Sequence, residues 1–127
     1  MAEDDFCYLT TVGRRSGRPH EIEIWYALDE GSGPIGPGAT IFLLAGGGRG
    51  SDWVRKAEED AAVSVRFGTD ATVHAGKARL LDGADADQGE VERARRLVFT
   101  KYQGRSGGDL ADWRVRALPV AIDLTVR

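Results

Sequence analysis

Two strand-like runs, Phe6–Val12 and Arg18–Tyr26, are separated only by Gly13–Gly17, and this spacing constrains the fold more than any other feature. A parallel crossover needs about a dozen residues or more, so a connection this short makes the two strands an antiparallel hairpin. In the second run Ile22, Ile24 and Tyr26 alternate with Glu21, Glu23 and Trp25, the period of a half-buried strand. A doubly wound α/β sheet is thereby disfavoured at the start of the chain.

The rest of the pattern extends the sheet. Thr40–Ala45 (TIFLLA) is apolar on both faces and reads as a central strand. Ala62–Phe67 alternates, with Val63, Val65 and Phe67 on one face. In Thr72–Leu81 the apolar parity switches near Gly76, which predicts a bulge. Leu118, Val120, Ile122, Leu124 and Val126 alternate with polar or small residues and should face the core. Two helices interrupt the strands. One starts at a Ser51 or Asp52 cap; the other spans Asp85–Tyr102, with Val91, Ala94, Leu97, Val98 and Lys101 at three-to-four spacing. The stretch DLADWRVR, 109–116, suggests a further helical turn. The expected architecture is one domain, 1–127, mainly β with helices: a small barrel of about six antiparallel strands and two to three helices.

Charge and cysteine usage narrow the function classes. Twenty acidic residues against 17 basic ones give a net charge of −3, which argues against a general nucleic-acid surface. Cys7 is the only cysteine, so no internal disulfide forms, and as a strand residue it reads as core filler. The start, MAEDDF, is acidic and lacks an apolar leader core, and no apolar run reaches the roughly 20 residues of a membrane span. These features point to a cytoplasmic protein without integral membrane association. His20 and His74, the only histidines, have no accompanying ligand set, so no metal site is expected. His20 shares the parity of Ile22 and Ile24 and reads as a barrel histidine.

Two glycine-rich stretches carry the chemistry. The turn G-R-R-S-G-R places Arg14, Arg15 and Arg18 beside Ser16 and Gly17 in an otherwise acidic chain. Such a set either solubilises a loop or holds an anion such as a phosphate through charge-assisted bonds. The second stretch, GGGRGSDW from Gly46 to Trp53, lacks the lysine of a P-loop and meets Ser51 where a dinucleotide fingerprint needs glycine. It is either a flexible connection or a ligand-facing loop at a helix start, and Trp53 is its candidate for touching a planar ligand.

Together, Y-L-T-T-V-G-R-R-S-G-R-P, F-L-L-A-G-G-G-x-x-S-D-W, A-A-V-S-V-R-F, K-Y-Q-G and A-L-P-V-A-I resemble the deazaflavin-dependent nitroreductase family. These are split β-barrel flavin and deazaflavin oxidoreductases related to pyridoxamine-phosphate oxidase. The resemblance implies that Arg14, Arg15 and Ser16 take the phosphate of coenzyme F420, with Gly17 in the same turn and Arg18 beside it. Gly46, Gly47 and Gly48 would lie along the deazaflavin ring, and Arg49 and Lys56 would meet the oligoglutamate tail. It further implies hydride transfer from the reduced deazaflavin to a small-molecule acceptor, a quinone, an enone or a nitro compound, with Tyr102 on the substrate side. A small split barrel leaves apolar strand surface that its few helices do not cover, and relatives of this kind often pair through it, which implies a homodimer. Gly46 stands where nitroimidazole-active members carry a hydroxyl residue, and Tyr102 alone represents their tyrosine group. The alternatives are a cofactor carrier without turnover and an FMN-dependent oxidoreductase of the same fold.

Overall fold

The computed structural model describes residues 6–12, 17–68, 72–82, 86–103 and 116–125. Seven strands, β1 (Cys7–Val12), β2 (Pro19–Ile24), β3 (Ala27–Leu28), β4 (Thr40–Ala45), β5 (Ala62–Phe67), β6 (His74–Leu80) and β7 (Leu118–Leu124), form a single antiparallel sheet. Two helices accompany them, α1 (Asp52–Glu59) and α2 (Gln88–Gln103). The strand order is β2-β1-β5-β6-β7-β4-β3.

That order explains the curl. β2 and β3 are consecutive in the chain yet occupy opposite edges of the sheet, and only Trp25 and Tyr26 separate them. Two residues span at most about 10 Å, so the two edges must come together. The expected strand from Arg18 to Tyr26 is therefore one bent run whose first part pairs with β1 and whose continuation pairs with β4. This splitting raises the strand number from about six to seven and gives a split β-barrel.

The core lies on both sides of the barrel wall. Inside are Cys7, Leu9, Tyr26, Ile41, Leu43, Val65, Val120 and Ile122, all essentially inaccessible, with Trp53, Val54 and Ala57 of α1 packed among them. Outside, α2 lays Ala94, Val98 and Tyr102 over Phe42, Leu44 and Ala121. The unbroken apolar run of β4 follows from this. It is next to the sheet edge rather than central, but alternate residues serve two cores. In β7, Val120, Ile122 and Leu124 face inward as the alternation predicts, while Asp123 is only half-buried.

Three further expectations change. β6 shows no bulge: its pairing to β5 and β7 runs without interruption through Gly76. Glycine is required there by crowding, because a Cβ would sit 3.0 Å from both the Asp123 carbonyl oxygen and Ile122 Cγ2. The apparent parity switch arises because Val73 and Ala75, the apolar residues before Gly76, are exposed, whereas Gly76 and Ala78 face the core. His20 is exposed at the start of β2 rather than held in the barrel. Finally, exposed large apolar side chains among the described residues amount to Phe6, Ile35 and Val73. On the faces of β1, β2 and β5 opposite the core lie Tyr8, Glu21, Glu23 and Arg66, so the apolar strand surface expected to drive pairing is not seen there.

Candidate functional site

Antiparallel pairing collects several chain segments at one end of the sheet. Val12 pairs with Pro19, and β1 runs antiparallel to β5; following the order round, the end of β4, the end of β6 and the start of β7 share that end. Gly46–Ser51, Leu81–Asp82 and Arg116–Ala117 extend from these strand ends.

A groove of about 460 Å³ opens there, between the first half of α2 and the starts of the segments just named. Its apolar wall includes Leu81, Val91, Leu118 and Pro119. Arg95 and Arg116 supply guanidiniums, and Gly48 forms part of the rim. Arg95 is fixed in place: its Nη1 donates to the Ala117 carbonyl at 2.9 Å, tying α2 to the entry of β7. That contact orients the guanidinium toward the entry of β7. A volume of this size is typical of small-ligand sites, which combine an apolar lining with a few polar groups.

One further polar atom lies near the end of β1. Thr11 faces inward, 1% exposed, and its hydroxyl has no hydrogen-bond partner in the protein. A buried hydroxyl of this kind costs about 1–3 kcal/mol unless something satisfies it.

Of the residues singled out from the sequence, Arg14, Arg15 and Ser16 lie outside the described residues. Gly17 is exposed with φ +66°, and Arg18 is exposed beside it. Gly46 and Gly47 are exposed in the turn after β4. A Cβ at Gly47 would meet Ser51 Oγ at 2.5 Å, the rotatable end of a side chain, so crowding does not require glycine there. Gly48 takes φ +57°, a left-handed conformation that glycine adopts without steric cost. Arg49 lies in the short 3-10 turn that follows, Gly48–Gly50.

Ser51 occupies the N-cap position of α1 without a capping bond from its side chain. Trp53 is 9% exposed and belongs to the barrel core, so its contribution is chiefly packing. Lys56 pairs with Asp52 one turn back, at 3.1 Å. Tyr102, expected on the substrate side, is 1% exposed; its ring stacks on Trp25 with centroids 4.3 Å apart, and its hydroxyl bonds the Tyr26 backbone. Of these residues the groove includes Gly48 and neither Trp53 nor Tyr102, and the end of the β1–β2 pair shares its end of the sheet without lining it. Arg95, Arg116 and Gln88 were not singled out in the sequence. The i, i+3, i+7 spacing of Gln88, Val91 and Arg95 does place one amide, one valine and one arginine on a common helix face.

No protein-family model matches this chain, and no curated protein matches it. Solved structures do share its fold. An F420-H2-dependent reductase superposes with a TM-score of 0.63 at 21% identity, over 94% of this chain and 93% of that one. A protein named for 5-nitroimidazole antibiotic resistance, from Bacteroides thetaiotaomicron VPI-5482, gives a TM-score of 0.66 at 11% identity, over 95% and 73% of the two chains. A structure described as a domain-swapped dimer gives 0.65 at 22% identity, over 96% and 81%. At these identities the likeness concerns fold. The chain has the split-barrel fold that carries an F420-H2-dependent reductase among its known forms.

Proposed function

We propose that this chain is an F420-dependent oxidoreductase that passes a hydride from the reduced deazaflavin to a quinone, enone or nitro-type acceptor. The observation that carries the reading is the convergence at one barrel end of three features: the β1–β2 hairpin end, the Gly46–Gly50 turn, and an apolar groove with two arginines. The hairpin bears the sequence G-R-R-S-G-R, and the shared fold with an F420-H2-dependent reductase adds to it.

The residues present fit such a cofactor. A phosphate asks for cationic donors and a hydroxyl, and Arg14, Arg15 and Arg18 with Ser16 offer them within one short stretch of sequence. Thr11 offers a buried hydroxyl that otherwise has no partner. Gly48, with no side chain on the groove rim, leaves room for a flat ring. When bound, reduced deazaflavin supplies two electrons and a proton as hydride, and a quinone acceptor takes one further proton from solvent to become the hydroquinone. The chain contributes orientation. Leu81, Val91, Leu118 and Pro119 exclude water from one side of the groove, and the arginines favour charge that develops on the acceptor.

A hydride-transfer assay with reduced F420 and menadione tests this reading. Consumption of the reduced cofactor at the rate menadione disappears is the expected result. Binding of F420 without turnover on any quinone, enone or nitro acceptor would instead leave a carrier, and preference for FMN would reject the deazaflavin assignment. The acceptor is a diffusible small molecule, the setting is the cytoplasm, and the assembly is a homodimer. The fold likeness to a domain-swapped dimer supports that last point.

A further inference from the structure

The first turn of α2 borders two cavities. Gln88 and Val91 line the groove, while Asp87 and Glu90 line a second cavity of about 260 Å³, and both cavities reach Leu81 and Asp82. Asp87, Gln88 and Gly89 are exposed, and a glycine this early in a helix lowers its intrinsic stability. The side-chain bonds of Asp87 and Gln88 are local. Asp87 accepts from Gly89 N–H at 2.9 Å, and Gln88 donates to the Ala86 carbonyl at 3.4 Å. Val91 packs half-buried against the outer core.

Among the described residues, one side-chain hydrogen-bonded link joins this turn to the barrel. The Arg79 guanidinium, on β6, donates to both Glu90 carboxylate oxygens at 2.9 Å. Arg79 is itself fixed from the other side. It donates from Nε and Nη2 to the two oxygens of Asp123 on β7, and Thr40 of β4 donates to the same carboxylate at 2.7 Å. Four of the five guanidinium donors are thereby used. A planar fork gripped by two carboxylates has a defined position, unlike an ammonium on a flexible stem.

We infer that Arg79 is a positioning residue for the groove: by holding Glu90 it fixes the first turn of α2, and with it the wall formed by Gln88 and Val91. Arg79 does not itself line the groove, so it acts on a ligand there only through the residues it holds. A released turn spends part of its time in positions that change the groove's width, and ligand affinity falls by the competent fraction. Calling the groove's ligand the hydride acceptor rests on the proposed function above; control of the groove by Arg79 does not.

The test titrates 2-naphthol, a flat, neutral and redox-inert probe, into the full chain without cofactor, followed by amide NMR. Wild type should show saturable shifts at Gln88, Val91 and Leu118. Arg79→Met and Glu90→Met should each weaken binding by about three- to fivefold, the scale of one partly exposed ion pair. The double variant should bind no more weakly than the weaker single one, because both remove the same link. Arg79→Lys should restore part of the affinity, since an ammonium reaches a carboxylate but cannot form the fork. Tyr102→Phe loosens the far end of α2 and controls for a general loss of stability; it should bind 2-naphthol as wild type does. Wild-type affinity in Arg79→Met, single-variant effects that add in the double, or an equal loss in Tyr102→Phe would overturn the inference. So would the absence of saturable shifts at those three residues in wild type.

A turnover arm keeps the two claims apart. With reduced F420, Arg79→Met should raise the KM for menadione while kcat and F420 affinity stay unchanged, the mark of lost acceptor binding. Weakened 2-naphthol binding with an unchanged menadione KM would keep Arg79's control of the groove and remove the acceptor from it. No turnover in wild type would reject the proposed function and leave Arg79 to be judged by 2-naphthol alone.

Discussion

The Tyr102 hydroxyl donates to the Tyr26 carbonyl at 2.9 Å and accepts the Tyr26 N–H at 3.1 Å. These two bonds span 76 positions of sequence and fasten α2 to the corner where the β2–β3 run changes neighbours. Lys101 reinforces the corner, donating from Nζ to the same carbonyl at 2.8 Å and lying over the Tyr26 ring. Tyr102→Phe leaves the carbonyl with Lys101 but orphans a buried N–H, at a cost of about 1–3 kcal/mol. Urea denaturation should show that loss, with F420 affinity unchanged. Wild-type stability combined with reduced turnover would return Tyr102 to the substrate side.

Two glycine substitutions should behave oppositely. Gly76→Ala drives a methyl against the Asp123 carbonyl and Ile122 inside a three-strand ladder that cannot easily give, at a cost of about 1–3 kcal/mol. Gly47→Ala meets only the mobile end of Ser51, which can rotate away, so a change within about 0.5 kcal/mol is expected. Thermal or urea unfolding of the two variants decides it; equal effects would mean that the β6 crowding is relieved by sheet movement.

Much of this architecture is written in local patterns, and the parts that are not have identifiable reasons. The alternation in β5 and β7 and the three-to-four spacing of α2 report directly on which face is buried. The division of the run from Pro19 to Leu28 between two neighbours does not, because pairing partners leave no periodic mark. Nor does the crowding at Gly76, since a bulge and a close approach both call for glycine. At the site, the hairpin cations and the glycine turn stand out as composition. Arg95 and Arg116 do not, because they lie 21 positions apart and only the docking of α2 onto β7 brings them to one groove.

A charged clasp on the barrel exterior predicts an acid-linked stability term. Arg79 on β6 meets Glu90 of α2 at 2.9 Å and Asp123 of β7 at 3.0 Å, and Thr40 donates to Asp123 at 2.7 Å. The hydrogen bond from Arg79, more than that from Thr40, holds the Asp123 carboxyl below its usual value. A depressed carboxyl stabilises the fold above the unfolded-state value and loses that contribution as pH falls through the folded one. Because Arg79 and Asp123 are both substantially exposed, the effect is at most about 1 kcal/mol. Asp123→Asn should therefore be less stable than wild type at pH 7, with the gap closing as the medium is taken to pH 3. A gap that is the same at both pH values would contradict this.

Cys7 should be chemically silent. Burial pushes its thiol from 9.0 to about 12, so almost no thiolate exists near neutrality. The protonated thiol favours the fold below about pH 9, and that contribution fades as pH rises towards the folded value. Iodoacetamide at pH 8 should leave the folded chain unmodified and label it only in denaturant; rapid labelling of the folded protein would show the barrel to be open there.

The central claim is that the arginine hairpin holds the phosphate of a deazaflavin cofactor, and a direct titration tests it. Wild type should bind F420 more tightly than FMN, and its affinity should fall as salt rises. Removing a charge-assisted phosphate contact costs about 1.5–3 kcal/mol, or roughly 10- to 150-fold in affinity. Arg14→Ala and Arg15→Ala should each show that loss, together with a shallower salt dependence, while unfolding as wild type does. If the double variant Arg14→Ala, Arg15→Ala binds F420 with wild-type affinity and salt dependence, the phosphate does not lie on the hairpin and the account is contradicted.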